Sequence, residues 1–286
     1  MNSKRTVLVT GCSDGGIGAE LAKEYHSRGL RVFASSRRLE TMKEIAALGI
    51  ETISLDVTSI DSIRMARDAI SSQTGGNLDI LVNNAGQVLE GAAVDLEISA
   101  SRALFEINVI APMAMVQEFF PILMAGTNAC IVNIGSGSGL LPIPLQSSYN
   151  ASKAAFHSWS DTLRVELKPF DISVVTVVTN TVKSNIRKPV HFPDNSLYKP
   201  MEAIYNVVHD NIDRDAEPTD KYARMVVTQT TKSKPRGWLW GGHLSTLLWV
   251  MLTFFPRRVP EKIVLDMYKF NEFSTQVRKD RAKERA

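Results

Sequence analysis

The chain has 286 residues, of which 44% are hydrophobic and 22% are charged, a composition that excludes a disordered protein and is typical of one large globular domain. Its formal net charge of +3 is small and dispersed, so we expect no nucleic-acid partner. Cys12 and Cys130 lie far apart and form no CxxC pair, which supports neither a disulfide framework nor a zinc site and predicts a reducing, cytoplasmic compartment. The first apolar run is short and leads straight into glycines, so we expect a strand there and no secretory signal.

Short β-branched runs alternate with amphipathic stretches along the first two thirds of the chain. The predicted strands are 6–11, 31–36, 50–57, 78–84, 129–136 and 172–179. The predicted helices are 17–28, 39–48, 59–71, 99–124 and 149–168. Near-continuously apolar strands that alternate with helices predict an α/β fold with a doubly wound parallel sheet of Rossmann type. We expect one domain over 1–236, followed by a C-terminal helical extension over 237–286.

A glycine-rich stretch follows the first predicted strand. The sequence from Val9 to Leu21 reads VTGCSDGGIGAEL, with four glycines at the start of a predicted helix. Glycines at this place let the backbone approach a pyrophosphate, and the N–H groups and dipole of the helix start favour its negative charge. A turn without chemical meaning is the alternative, but the preceding strand and the following helix favour a dinucleotide site.

Three ordered motifs carry a resemblance to a known family. They are TGCSDGGIG at 10–18, NNAG at 83–86 and YNASK at 149–153. Over residues 5–185 the chain thereby resembles the short-chain dehydrogenases/reductases, with one residue added in the glycine motif. With this added residue, the glycine motif is similar to that of the fungal branch that includes NADPH-dependent 1-acyldihydroxyacetone-phosphate reductase. The resemblance implies cofactor contacts from Gly11, Ser13, Gly15, Ile17, Gly18, Asp56, Val57, Asn84, Ala85, Gly86, Tyr149, Lys153, Val182 and Ser184.

The end of the second predicted strand bears on the choice of cofactor. NAD enzymes usually place an acidic residue there for the ribose hydroxyls. This chain instead has Ser36, Arg37 and Arg38, with no acid before Glu40. A guanidinium binds a 2′-phosphate bidentately and Ser36 can donate to it, so the sequence predicts NADP(H). The alternative is a solvated helix start, which the helix dipole makes unfavourable for cations.

Tyr149 and Lys153 lie four residues apart and share one face of a predicted helix. General acid–base catalysis near neutral pH requires a phenol pKa below its ordinary value, and we expect the Lys153 ammonium and an oxidised nicotinamide ring to lower it. The resemblance implies that Ser136 orients the substrate oxygen, with Ser138 as its rival. It also implies that Asn108 disturbs its helix locally and holds a water that links Lys153 to solvent.

One segment departs from the family pattern. Thr179 and Asn180 stand where a Pro-Gly pair commonly follows the sixth strand, while Ser184 can still offer a hydroxyl. Asn tolerates the left-handed backbone conformation better than other non-glycine residues, so the backbone path can survive the exchange. The departure puts in doubt the geometry on the substrate side of the nicotinamide.

The strand–helix alternation ends after Val182. Three prolines and scattered charge predict a substrate loop over about 183–215. Within it, Lys183, Arg187 and Lys188 are candidates for binding a substrate phosphate, with ordinary surface charge as the alternative.

The C-terminal extension contains an apolar run over 244–255 that is too short to span a bilayer. Three interpretations remain open: a core or lid helix, a homo-oligomer face, and an interfacial anchor over 238–258. In the third, Trp238, Trp240 and Trp249 lie at headgroup level and the arginines that follow face anionic lipid. For this anchor, the resemblance to the acyldihydroxyacetone-phosphate reductase branch implies a place at the surface of the endoplasmic reticulum or of lipid droplets.

These features predict an NADPH-dependent reductase of a carbonyl group on a small hydrophobic substrate. The substrate is a lipid-like ketone such as acyl-dihydroxyacetone phosphate, or a polyketide ketone of secondary metabolism. Two alternatives remain, a fungal biosynthetic enzyme that acts on an imine or assists a cyclisation, and a non-catalytic NADP-binding regulatory protein. The five histidines lack metal-ligand spacing and are interpreted as ordinary polar residues, so no metal is expected. We also expect a homo-oligomer.

Overall fold

A computed structural model describes residues 4–187 and 189–285, and its centre is a parallel sheet of seven strands. The strands are β1 (Thr6–Thr10), β2 (Arg31–Ser36), β3 (Glu51–Ser54), β4 (Ile80–Asn83), β5 (Cys130–Ile134), β6 (Ser173–Thr179) and β7 (Trp238–Gly241). Their order in the sheet is β3-β2-β1-β4-β5-β6-β7, with every neighbouring pair parallel. This confirms the predicted fold class.

Helices cover both faces of the sheet. They are α1 (Ile17–Ser27), α2 (Lys43–Ala47), α3 (Ile60–Thr74), α4 (Ile98–Phe105), α5 (Ala111–Met124), α6 (Ser147–Glu166), α7 (Glu202–Arg214), α8 (Thr219–Thr230), α9 (Ser245–Phe254), α10 (Arg258–Met267) and α11 (Phe270–Glu284). Because side chains alternate along a strand, Val7 and Val9 of β1 pack with α1 and α8, whereas Leu8 packs with α3, α5 and α6. Burial on both faces explains why the strands are apolar at nearly every position.

The position of the site follows from the strand order. The chain runs outward from β1 through β2 to β3, then returns to place β4 on the other side of β1. At such a reversal the connections after the two neighbouring strands diverge to opposite faces and leave a crevice at the carboxyl edge. β1 ends at Thr10 and β4 ends at Asn83, so the TGCSDGGIG and NNAG motifs meet in that crevice.

The structure moves the expected domain boundary. Residues 238–241 pair with β6 from Thr176↔Trp238 to Thr179↔Gly241, so the sheet includes the start of the segment that the sequence assigns to an extension. The helices beyond the sheet therefore begin with α9. Likewise, the expected substrate loop over 183–215 contains the helix α7.

The predicted helix over 99–124 is one continuous helical stretch, but it is not α-helical throughout. Residues Glu106–Ile110 form a π-helical segment between α4 and α5. By length and composition the helical stretch Ile98–Met124 could cross a membrane, but half of its most apolar window is buried in the protein. Its side chains Met115 and Phe119 belong to the core beneath the sheet, as expected of a core helix.

Candidate active site

The glycine motif is locked to the end of β4 by hydrogen bonds. The side-chain amide of Asn84 donates to the carbonyls of Thr10 (2.8 Å) and Gly11 (3.1 Å). In return the Thr10 hydroxyl accepts from the backbone N–H groups of Asn84 and Ala85, both at 3.0 Å. The two motifs therefore form one rigid turn at the carboxyl edge of the sheet.

Close backbone approach explains two of the glycines. Gly11 has φ +72°, and a Cβ there would lie 2.8 Å from the Cα of Ala85. A Cβ on Gly18 would lie 2.4 Å from the carbonyl oxygen of Gly11, so the start of α1 can approach β1 only with glycine at this position. No side chain caps the N-terminus of α1, which begins after Gly16. This leaves a helix start that favours an anion.

The three predicted residues after β2 lie on the rim of the same crevice. The Ser36 hydroxyl contacts those of Ser13 (3.3 Å) and Thr41 (3.0 Å), while Arg37 and Arg38 are exposed. Thr41 was not among the sequence candidates. It follows the arginines in the chain, and only the turn at Leu39–Met42 brings its hydroxyl next to that of Ser13. Hydroxyls and guanidinium groups together form a donor set suited to phosphate.

Asp56 follows β3 and lies on the same cavity wall as Val57. Its carboxylate accepts from the Thr58 hydroxyl (2.7 Å) and from the Thr58 backbone N–H (3.0 Å). These hydrogen bonds lower the pKa of Asp56 below its ordinary value, with a smaller contribution from the Arg37 charge. Asp56 therefore carries a negative charge and closes the turn with its side chain.

Tyr149, Lys153 and Ser136 come together at the centre of the cavity. Tyr149 and Lys153 lie on α6, and the Lys153 Nζ is 6.0 Å from the centre of the Tyr149 ring. Lys153 donates to the carbonyl of Ile134 at 3.0 Å, which attaches α6 to the end of β5. Ser136 follows that strand, and its hydroxyl accepts from the backbone N–H of Ser138 at 3.1 Å. Only Ser136 of the two serine candidates contributes to the pKa of the Tyr149 phenol.

Burial opposes the predicted acidity of the phenol. Desolvation raises the pKa of Tyr149, and the contact with the Ser136 side chain only partly offsets it. Desolvation also lowers the pKa of Lys153 to about 8. Without a cofactor, burial outweighs any lowering of the phenol pKa by the groups around it. That Lys153 and an oxidised nicotinamide ring together make the phenol acidic stays a prediction for the cofactor-bound protein.

Asn108 lies in the π-helical segment and does not line the cavity. Its side-chain oxygen accepts from the Gln87 backbone N–H (2.9 Å), and its amide donates to the Gln87 carbonyl (2.9 Å) and to the Ser152 hydroxyl (3.1 Å). Ser152 in turn donates to the Tyr149 carbonyl at 2.8 Å. Asn108 thus links the loop after β4 to the helix that carries Tyr149 and Lys153. The sequence pattern did not single out Gln87 or Ser152, whose contacts depend on the fold.

The segment that replaces Pro-Gly follows a different path from the one expected. Asn180 has no positive φ, so the left-handed conformation is not used. Instead its backbone N–H donates to the Gly241 carbonyl at 2.7 Å, and its side-chain amide donates to the His243 carbonyl. Asn180 therefore fastens the end of β6 to the segment that leads into α9, and it lines the cavity.

A single continuous cavity of about 1170 Å³ contains these groups. The predicted residues that line it are Gly11, Ser13, Ile17, Ser36, Arg37, Arg38, Asp56, Val57, Asn84, Ala85, Gly86, Ser136, Tyr149, Lys153, Val182 and Ser184. Gly15 and Gly18 do not line it and act on the shape of the turn. Beyond Ser136 and Tyr149 the wall is largely apolar, with Leu141, Ile143, Leu247, Leu248, Met251, Val259, Ile263 and Met267.

The candidates for a substrate phosphate do not form such a site in the described residues. Arg187 lines the cavity, but its guanidinium pairs with Glu90 (3.2 Å) and Asp213 (3.6 Å). Glu90 is buried and also accepts from the Tyr205 hydroxyl at 2.7 Å. Lys183 is exposed outside the cavity, and Lys188 lies outside the described residues. The charge of Arg187 is therefore already balanced by carboxylates.

Two histidines proved to be more than ordinary polar residues. His157 and His209 are both buried, and burial lowers their pKa values to about 4 and about 3. His209 lines the cavity and shares a hydrogen bond with the Tyr268 hydroxyl at 2.9 Å. Within residues 4–187 and 189–285, no group of three or more His, Cys, Asp or Glu side chains is arranged to hold a metal ion.

A parallel sheet whose carboxyl edge joins a glycine-rich turn to Ser136, Tyr149 and Lys153 defines a dinucleotide-dependent oxidoreductase. The family model described as short chain dehydrogenase matches residues 5–193, so the chain belongs to the short-chain dehydrogenase/reductase family.

Individual relatives agree with this assignment. The short-chain dehydrogenase RED1 of Pyricularia oryzae is 38% identical over 261 residues, which cover 90% of this chain and 92% of that protein. A short-chain dehydrogenase structure from Streptomyces avermitilis has a TM-score of 0.77 at 26% identity and covers 96% of this chain and 99% of its own. A metagenomic short-chain oxidoreductase in complex with NADP has a TM-score of 0.63 at 25% identity, covering 83% and 96%.

The residues of this crevice fit the nicotinamide dinucleotide that family membership implies. Gly11 has no Cβ, so its backbone can lie directly against Ala85 after β4. The uncapped start of α1 suits a pyrophosphate. The adenine side would lie along Asp56 and Val57, and the nicotinamide side near Tyr149 and Lys153. A bound cofactor of this kind supplies or accepts hydride, chemistry that the protein's own side chains lack.

Proposed function

We propose that the protein is an NADP(H)-dependent reductase of a carbonyl group on a small, uncharged, hydrophobic substrate. The observation that carries this proposal is the single cavity, which joins the Ser136, Tyr149 and Lys153 site to an apolar wall built by α9 and α10. A substrate with a polar reacting group and an apolar body matches both ends of it.

The rim after β2 supports NADP(H) over NAD(H). Ser36, Arg37 and Arg38 all line the cavity, and no acidic residue lies between the end of β2 and Glu40. Arg38 lies 3.8 Å from Glu40 at an exposed site, a weak pair that leaves the guanidinium free to turn to a phosphate. Ser36 adds a hydroxyl donor beside it.

In the proposed reaction, the Tyr149 hydroxyl donates its proton to the substrate oxygen while Ser136 donates a hydrogen bond to the same oxygen. The phenol is protonated at neutral pH and can donate, although burial raises its pKa and so makes it a weaker acid in the cofactor-free protein. Lys153 lies beside it, and its pKa near 8 makes it able to return a proton to the phenolate. Asn108 contributes indirectly, because its hydrogen bonds to Gln87 and Ser152 hold α6, which carries Tyr149 and Lys153, in place.

The charge balance at the far end of the cavity favours an uncharged ketone. Arg187 is paired with Glu90 and Asp213, so a substrate phosphate would have to break a partly buried ion pair to use it. This argues against acyl-dihydroxyacetone phosphate and for a neutral lipid or a polyketide-like ketone. The intact site around Tyr149 also argues against a purely regulatory role.

The test is oxidation of NADPH, followed at 340 nm, with a panel of ketones. The panel contains neutral long-chain ketones, keto-steroids, polyketide-like ketones and acyl-dihydroxyacetone phosphate, and each is repeated with Tyr149→Phe. We expect turnover of a neutral apolar ketone that falls at least a hundredfold in Tyr149→Phe, since general acid catalysis contributes about 10²- to 10⁴-fold. Turnover that survives the loss of the hydroxyl would refute the assignment of Tyr149 as the acid.

A second proposal concerns the outer face of α9, which we infer to contact an anionic lipid surface on the cytoplasmic side. Trp249 and Phe254 are exposed and do not line the cavity, and Arg257 and Arg258 are exposed next to them. Apolar side chains beside cations suit the headgroup region. Trp238 and Trp240 belong to β7 and are half-buried, so the proposed contact does not include them.

Flotation with vesicles that contain anionic lipid tests this contact. We expect the wild-type protein to float, and Trp249→Ser with Phe254→Ser to remain at the bottom of the gradient. Met65→Ser, which removes an exposed apolar side chain from α3, is the matched control and should float. Flotation of the double variant at the wild-type level would reject the contact.

A further inference from the structure

We propose that His157 is a positioning residue that holds Ser136 at the site by accepting a hydrogen bond from its backbone. His157 lies on α6, four residues after Lys153 and eight after Tyr149, so all three share one face of the helix. Its Nε2 lies 3.2 Å from the Ser136 backbone nitrogen and accepts the N–H of that residue. The inference depends on the proposed reaction, in which the Ser136 hydroxyl must meet the substrate oxygen.

The accepting role determines the chemical form of the ring. Because Nε2 accepts a hydrogen bond, it carries no proton, and the neutral imidazole must carry its proton on Nδ1. Nδ1 is buried and has no partner among the described residues. Burial and the nearby charge of Lys153 keep the ring neutral, with a pKa of about 4. A protonated ring could not accept the Ser136 N–H.

The surrounding sequence makes room for this ring. A Cβ on Gly135 would lie 2.1 Å from His157 Nε2, and a Cβ on Gly139 would lie 3.0 Å from its Cε1. Trp238 of β7 packs edge to face against the ring with centroids 5.5 Å apart. Because Gly135 and Gly139 have no Cβ, the backbone around Ser136 can pack directly against the imidazole.

In this proposal the contact acts on the reaction by positioning Ser136. The Ser136 hydroxyl accepts from the Ser138 N–H inside the turn, so a shift of the turn moves the hydroxyl relative to Tyr149. The glycine motif lies at the other end of the cavity, where Gly11 packs against Ala85. Loss of the His157 acceptor should therefore lower the rate of the chemical step and leave cofactor affinity unchanged.

Two variants separate positioning from packing. His157→Leu keeps an apolar side chain in the space but removes the acceptor, whereas His157→Gln offers a carbonyl oxygen to the Ser136 N–H. We expect kcat to fall at least tenfold in His157→Leu, with the Kd for NADPH within twofold of wild type, and to recover most of that loss in His157→Gln. His26→Leu, at an exposed histidine of α1, is the control and should leave all values unchanged.

Equal losses in the two variants, an unchanged kcat in His157→Leu, or a parallel loss of NADPH affinity would overturn the proposal. Nitrogen NMR of the wild-type protein, with His157 assigned through His157→Gln, gives a readout that does not depend on turnover. The Nδ1–H tautomer is expected, and an Nε2–H tautomer would overturn the proposal even if no ketone were reduced. Absence of ketone turnover together with the Nδ1–H tautomer would instead reject the proposed reaction.

Discussion

Replacement of Lys153 by methionine should stabilise the cofactor-free protein while abolishing its activity. Lys153 is buried, and desolvation lowers its pKa from 10.5 to about 8. The folded protein therefore holds a charged ammonium at neutral pH in a place that disfavours it. Methionine has a similar length and helix propensity and carries no charge.

The magnitude follows from the two pKa values. The difference between 10.5 in the unfolded chain and about 8 in the folded protein corresponds to about 3 kcal/mol of lost stability below pH 8. Methionine also leaves the Ile134 carbonyl without the Lys153 donor, which costs about 1 kcal/mol. The net gain is about 2 kcal/mol at pH 7, or about 3 °C in Tm for a chain of this length.

The sign of the pH dependence provides the sharper test. Between pH 8 and 10.5 the unfolded chain binds one more proton at Lys153 than the folded protein, so wild-type stability gains relative to the variant as pH rises. Urea unfolding of both proteins at pH 7 and pH 10 measures this difference, with Lys183→Met as the exposed control. A variant that is less stable at pH 7, or an advantage that does not shrink by pH 10, would show the reasoning to be wrong.

Three further predictions concern the cofactor rim, the glycine turn and the far wall. Arg37→Ala should weaken NADPH binding about tenfold or more and NADH binding less than twofold in fluorescence titrations, because a charge-assisted phosphate contact contributes about 1.5–3 kcal/mol; equal losses would speak against phosphate recognition. Gly18→Ala places a Cβ 2.4 Å from the Gly11 carbonyl oxygen and should lower stability by about 1–3 kcal/mol in urea unfolding. Arg187→Met leaves buried Glu90 without its nearest cation and should cost up to about 3 kcal/mol in the same assay. If Arg187→Met instead lost activity only towards phosphorylated substrates and kept its stability, Arg187 would again be a candidate substrate ligand.

The fold and the centre of the site were accessible from local sequence patterns. Parallel strands buried on both faces must be apolar along their length, so β1, β5 and β6 are visible as runs without knowledge of their neighbours. The glycine turn is likewise a local requirement, since its backbone conformation and close approach exclude side chains. Tyr149 and Lys153 could be paired because helical spacing places them on one face.

The short strand β7 and the helix α7 escaped prediction for the opposite reason. Residues 238–241 are only four long and alternate between buried and half-buried, and they form a strand because the edge of β6 is there to pair with. The prolines and charges over 183–200 resemble a loop, and they gave no indication that α7 would follow within the expected segment. Weak local patterns leave the outcome to tertiary contacts.

Sequence alone therefore determined the order of strands and helices from β1 to β6, the dinucleotide turn and the identity of the central tyrosine, lysine and serine. Only the tertiary structure decided that Arg187 is neutralised by Glu90, that His157 supports Ser136, and that burial raises the pKa of Tyr149 while lowering that of Lys153. The physical reason is that backbone conformation and periodicity act between neighbours in the chain. Charge balance and desolvation depend on every group that folding brings around a side chain, from however far along the sequence.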